Sequence, residues 1–140
     1  YGLDTANIFA VGDSAGAHIL SLYASICTNA EYASKFKFIV PNEFVPTAIA
    51  LNCGVYQVDA GSKNMEEYMP EKGTEEEMKL VNVETYVTEK YPPVFLMTST
   101  GDFLKTQAHN CKHQTYTLKR KKDDTGSGIC KYKFFPVPNW

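Results

Sequence analysis

Apolar positions along the chain fall into four short runs, separated by two helical patterns and one long polar stretch. Residues 8–11 form an apolar run with the length of a buried strand, closed by Gly12. From Ala15 to about Thr28, Ile19, Leu22, Tyr23 and Ile26 recur at i, i+3, i+4 and i+7, while Ala15, Ala17 and Ala24 fill the gaps. This predicts a helix buried on most sides. Residues 42–46 read as a surface loop, and 47–53 as a second strand closed by Gly54. Between 59 and 90 the pattern loosens: Glu66-Glu67, Glu71-Lys72-Gly73 and Glu75-Glu76-Glu77 alternate with Met65, Tyr68, Met69, Met78, Leu80, Val83, Tyr86 and Val87. One or two short amphipathic helices are expected there, as a lid-like insertion between strands. Its carboxylates read as a solvated face without catalysis. Its methionines and tyrosines either line a pliable apolar pocket or pack as core.

Tyr91-Pro92-Pro93 punctuates the chain, and residues 94–99 form a third strand ending at Thr100-Gly101-Asp102. A helix follows with Leu104, Ala108, Cys111, Thr115 and Leu118 on one stripe. It ends in Lys119-Arg120-Lys121-Lys122, cations that suit the negative end of a helix dipole. After a turn at 123–128, residues 129–135 alternate through Lys131 and Lys133 as a fourth strand, which Pro136-Val137-Pro138 stops. The order strand, helix, strand, insertion, strand, helix, strand predicts one α/β domain over residues 1–140. Its sheet is mainly parallel, with flanking helices and right-handed crossovers. Functional groups in such sheets gather at the carboxyl ends of the strands. Ser14 and Asp102 both sit there.

Composition narrows this little. The 140 residues fit a single domain with a real core, and 44% hydrophobic with 13% aromatic residues is globular usage. A formal net charge of −2 argues against nucleic acid or an anionic membrane as partner, and no apolar run approaches the length of a membrane span. Cys27, Cys53, Cys111 and Cys130 show no C-x-x-C pairing and lie in apolar segments. They read as buried free thiols rather than zinc ligands, with a Cys111–Cys130 bridge left open.

The candidate chemistry lies between the first strand and the first helix. Gly12-Asp13-Ser14-Ala15-Gly16 fits G-x-S-x-G, and strand, tight turn and helix are the context a nucleophile elbow requires. With glycine near 7% of residues, three such fixed positions arise by chance in roughly one chain of this length in twenty. The flanking pattern carries the rest. Gly12 and Gly16 are expected to let strand and helix approach closely, and the Ala15 N–H to face the place where an oxyanion would form. The competing reading is a serine in an ordinary βα turn or phosphate loop, but neither G-x-x-x-x-G-K-[ST] nor G-x-G-x-x-G occurs. His18 is fixed on the same helix and reads as a packed or hydrogen-bonded histidine rather than a base.

The residues from Gly12 to His18 after that first strand, with Tyr91-Pro92-Pro93 leading to Gly101-Asp102-Phe103-Leu104, resemble the α/β-hydrolase fold. Within it they are most similar to carboxylesterases and lipases related to hormone-sensitive lipase. The resemblance implies a serine hydrolase acting on small esters of short acyl chains through an acyl-enzyme, without metal or cofactor. It makes Ser14 the nucleophile, Asp102 the acid and the Ala15 N–H one oxyanion donor, with Asp59 as the alternative acid. The family's upstream His-Gly-Gly loop has no counterpart. Its histidine would follow the fourth strand, beyond Trp140, and His109 and His113 come too early in the order. The expectation is therefore the second half of the fold, lacking its base and nearly inert alone. Loss of a triad histidine costs on the order of a million-fold and a missing oxyanion donor about a hundred-fold more. An uncovered edge on the first strand would invite self-association. A reading of another class is a non-catalytic α/β binding or interaction module in which Ser14 is only a turn residue.

Overall fold

A computed structural model describes residues 2–37, 39–40, 44–58, 67, 69–99, 101–104, 106–108 and 134–137. Its elements are β1 (Phe9–Asp13), α1 (Ala15–Thr28), α2 (Ala30–Ala33), β2 (Ala48–Asn52), α3 (Glu75–Val81), a 3-10 turn (Val83–Thr85), β3 (Val94–Ser99) and β4 (Phe134–Val137). The strands form one sheet in the order β1-β2-β3-β4, and each neighbouring pair is parallel. Parallel neighbours cannot be joined by a hairpin, so every connection crosses over the sheet and all four strands end on one edge. This is the α/β arrangement the sequence predicts. Among the described residues β1 is an end strand.

Register puts Ala10, Gly12, Ile49, Leu51, Val94, Leu96 and Thr98 on one face and Phe9, Val11, Ala48, Ala50, Phe95 and Met97 on the other. The first face is the core: Ile49, Leu51, Val94 and Leu96 are buried with Ala17 and Ala24 of α1, Tyr56, Val83, Tyr91 and Ala108. On the second face Phe9 and Val11 are 70% and 72% exposed. Because side chains alternate with period two, the two faces part at every residue.

Helix α1 has the expected bounds but not the expected buried stripe. Its buried residues are Ala17, Ser21, Ala24 and Ser25, whereas Ile19 is 68% exposed. Small side chains face the sheet because helix and strand are close. A Cβ at Gly12 would lie 2.5 Å from the Gly16 carbonyl oxygen and 2.8 Å from the Ala17 Cα. The close approach expected of Gly12 is real, but that expected of Gly16 is not, since a Cβ there would meet open space. Gly16 lends its backbone to the contact rather than a missing side chain.

From its first turn onward, α1 is tied to residues 74–91. His18 Nε2 bonds the Val81 carbonyl at 2.7 Å, Tyr32 donates to the Leu80 carbonyl, and Tyr91 donates to the Ser21 carbonyl at 2.9 Å. Tyr32 also stacks on Tyr86, with ring centroids 3.8 Å apart. Met78, Val83 and Tyr86 are buried, so these members of the acidic stretch pack as core. Helix α3 starts at Thr74, whose hydroxyl accepts from the Glu77 N–H at 3.4 Å, while the Glu77 carboxylate reaches back to the Gly73 N–H at 3.0 Å. The carboxylate thus reaches one residue before the N-cap, and these bonds occupy one of the three glutamates. Glu75 pairs with Lys79 on the surface. Residues 59–66 and 68, with Asp59, Met65 and Tyr68, lie outside the described residues.

Two further expectations shift. The fourth strand runs through Pro136 to Val137 rather than stopping before it. Proline lacks an N–H, and an end strand of the described sheet tolerates it where a central strand would not. Residues 129–133 lie outside the described residues. Cys27 and Cys53 are free thiols but only half-buried. Cys111, Cys130, His109 and His113 lie outside the described residues.

Candidate active site

The connection from β1 to α1 is strained where the sequence places its serine. Ser14 has φ 53° and ψ −119°, a region that non-glycine residues adopt at a cost of about 1–3 kcal/mol. Serine is a common helix N-cap, but an N-cap has extended backbone and spends its side-chain oxygen on an early helical N–H. Ser14 does neither: its backbone is left-handed and its side chain makes no capping bond. Its own N–H donates to the Asn52 carbonyl at 2.9 Å, which pins the bend to β2. The hydroxyl is exposed at the carboxyl edge of the sheet. The Ser14 carbonyl takes the N–H groups of Ala17 and His18, at 3.1 and 3.2 Å. Earlier N–H groups of a helix have no partner within it, so that of Ala15 is a donor at the bend. Asp13 is exposed on the other face of β1.

Asp102 stands two strands away, past the end of β3. Its carboxylate accepts from the Thr98 hydroxyl at 2.8 Å and from the Leu104 N–H at 2.9 Å. Its own N–H donates to the Ser99 carbonyl at 3.1 Å, closing the turn. Partial desolvation pushes this carboxyl up, but hydrogen bonds from Leu104, Thr98 and Cys53 outweigh it and hold it below the usual carboxylate range. Asp102 is therefore ionised at neutral pH.

Between the two lies Cys53, which follows β2 with φ 47°. Its N–H donates to the Met97 carbonyl at 2.8 Å, and its side chain lies beside Asp102 and the Ser99 backbone. Burial pushes the thiol up, Asp102 adds to this, and the Ser99 N–H opposes it. Gly54 comes next, where a Cβ would lie 2.5 Å from the Tyr56 hydroxyl oxygen. Gln107 then ties the loop after β2 to the turn after Asp102. Its carbonyl accepts from the N–H groups of Tyr56 and Gln57, at 3.1 and 2.8 Å, and its amide donates to the Gln57 carbonyl at 2.9 Å.

Ser14, Ala15 and Asp102 thus share the carboxyl edge of the sheet. His18, the only histidine among the described residues, does not join them: its ring is held by Val81. Burial lowers its basicity, and the bond to the Val81 carbonyl offsets this only in part. Sequence reasoning missed Cys53, Thr98 and Gln107. A signal existed for Thr98, an inward strand position four residues before Asp102. None existed for Cys53 or Gln107, whose partners are 44 to 51 residues distant. Among the described residues no cluster of three or more His, Cys, Asp or Glu could hold a metal ion.

No protein-family model and no curated protein matches the chain. Solved structures do. Esterase B from Lactobacillus rhamnosis is 22% identical, with a TM-score of 0.72, over 98% of this chain and 44% of its own. A carboxylesterase from Lactobacillus plantarum WCFS1 is 17% identical, with a TM-score of 0.66, over 96% of this chain and 46% of its own. A truncated carbohydrate esterase from gut microbiota is 19% identical, with a TM-score of 0.65, over 99% and 53%. Likeness at these identities establishes the fold: the chain has part of an α/β-hydrolase fold. It spans about half the length of the structures it matches, or less.

Proposed function

We propose that this chain belongs to a serine esterase that hydrolyses small-molecule esters through an acyl-enzyme, with Ser14 as nucleophile and Asp102 as acid. The observation that carries this reading is the Ser14 bend: a strained serine, exposed at a helix start, with its side chain unused for capping. Such strain persists only where the surroundings enforce it, and it clusters at functional sites. The ionised Asp102 on the same edge supports the reading. Adjacent strands lie about 4.8 Å apart, so β1 and β3 are separated by roughly 10 Å. An imidazole with a hydrogen bond at each nitrogen spans roughly 8 Å between partner atoms, which suits that gap.

In the mechanism proposed for the whole protein, a histidine outside these 140 residues takes the proton of Ser14 as its oxygen attacks the ester carbonyl. Asp102 orients that imidazole and stabilises its charged form, and the Ala15 N–H holds one side of the oxyanion. Water then hydrolyses the acyl-enzyme. The solved structures named above are esterases, which favours ester over amide substrates; short acyl chains are the proposed substrates. With the base and the second oxyanion donor supplied from outside them in this proposal, the 140 residues alone should be nearly inert.

Treating the whole protein with a fluorophosphonate and mapping the adduct by peptide mass spectrometry tests the assignment. Modification at Ser14, abolished by Ser14→Ala, is expected. Modification elsewhere, or none while esterase turnover persists, overturns it and leaves a non-catalytic module as the reading of this chain.

A further inference from the structure

We infer that Thr98 is a positioning residue for Asp102: its buried hydroxyl donates the hydrogen bond that fixes the carboxylate at the sheet edge. Two observations carry this. The first is the place of the hydroxyl. Val94, Leu96 and Thr98 succeed one another on the core face of β3, and all three are buried, Thr98 with only 3% of its surface exposed. Valine has the shape of threonine and suits such a row better, because a buried hydroxyl is costly unless it is bonded. Thr98 Oγ1 meets Asp102 Oδ2 at 2.8 Å. An ionised carboxylate only accepts, so the hydroxyl is the donor. The second observation is how the two carboxylate oxygens are shared out. Oδ1 accepts the Leu104 N–H at 2.9 Å, an Asx turn that is complete without Thr98. Thr98 takes the oxygen that the turn does not use. Held at both oxygens, the carboxyl plane cannot rotate freely, and lone pairs remain for a further donor such as an imidazole N–H.

Both donors are themselves anchored from a distance. Thr98 is set by the parallel register of β3 on β4, where it stands opposite Pro136. The Leu104 carbonyl accepts the Gln107 N–H at 2.9 Å, and the Gln107 side chain is bonded to residues 56 and 57. The sheet thus orients one carboxylate oxygen, and the loop after β2 steadies the turn that orients the other. Desolvation alone would raise the Asp102 carboxyl; that it lies low instead agrees with donors to its charged form. Cys53 lies beside Asp102, with Asp13 near it at the end of β1. Burial raises the Cys53 thiol, which therefore stays protonated while the carboxyl titrates. The part this contact plays in catalysis rests on the esterase reading, but the contact itself does not.

The whole protein is labelled with carbon-13 aspartate, and the Asp102 signal, identified by its loss in Asp102→Asn, is titrated by NMR. Two pairs isolate the hydroxyl: wild type against Thr98→Val, and Thr98→Ser against Thr98→Ala. In each pair the Asp102 midpoint should be higher in the protein without the hydroxyl. Should Thr98→Val fail to fold, the second pair still reads the bond. Turnover of a short-chain p-nitrophenyl ester should follow the same pairs, with kcat several-fold lower without the hydroxyl and KM little changed. Equal midpoints within the pairs overturn the inference. So does an unchanged kcat in a protein whose Ser14 is labelled by fluorophosphonate. If the midpoints shift but Ser14 is not labelled, the positioning contact stands and the esterase reading falls.

Discussion

The bend before α1 and the body of the helix are built in opposite ways. At its start the chain bends through Ser14 at φ 53°, Gly12 passes under Gly16 with no room for a Cβ, and the surface is open. Farther along, side chains clamp the helix. His18 is bonded to Val81 and Tyr91 to Ser21, while Asn29 donates to the Tyr86 carbonyl at 3.2 Å and Thr88 to the Thr28 carbonyl at 3.3 Å. Beyond its end, Tyr32 stacks on Tyr86. The bend stores strain and presents a hydroxyl; the helix behind it is over-determined by packing. A bend of that energy would relax in an isolated peptide. Here it persists because the helix it starts is held elsewhere and cannot rotate to release it.

The close fit of β1 under α1 is broken most forcibly at Gly12. Gly12→Ala places a Cβ 2.5 Å from the Gly16 carbonyl oxygen, against backbone that cannot yield cheaply. Overpacking of this kind costs about 3 kcal/mol. Urea denaturation should show that loss, and a neutral substitution would mean that strand and helix are not in close contact. The strain itself is read by Ser14→Gly. Glycine accepts a positive φ, so the folded state should gain about 1 kcal/mol, less the entropy glycine adds to the unfolded chain. A destabilised Ser14→Gly would show that the serine is comfortable where it stands.

The smallest effect probes the clamp on α1 through pH. His18 is less basic when folded than its ordinary 6.5, chiefly because it is buried. Its contribution is therefore present above that value and is lost as pH falls through the lower folded value, since the unfolded chain takes up the proton first. The urea midpoint of wild type should fall across this window, and His18→Gln should flatten that part of the slope. An unchanged slope would place the ring in water rather than between α1 and α3.

Legibility in the sequence followed the range of the interactions. The bounds of α1, its place after β1 and the strands β2 and β3 came from local periodicity and from glycine and proline punctuation. Ser14 and Asp102 came from short patterns whose meaning is local, a turn in one case and a strand end in the other. The buried stripe of α1 did not follow, because hydropathy favours Ile19 while close packing on Gly12 favours Ala17 and Ser21. Val83 and Tyr86 carried the same hydropathy as surface members of an amphipathic helix; only contact with α1 and α2 placed them in the core.

By itself the sequence determined a parallel α/β chain and the two residues at its strand ends, because these rest on alternation, turn chemistry and chain order. Only the tertiary structure decided what surrounds them. Cys53 meets Met97 from 44 residues away, and Gln107 meets Tyr56 from 51. Each such meeting depends on the parallel register of three strands, and register is a property of the assembled sheet rather than of any one segment.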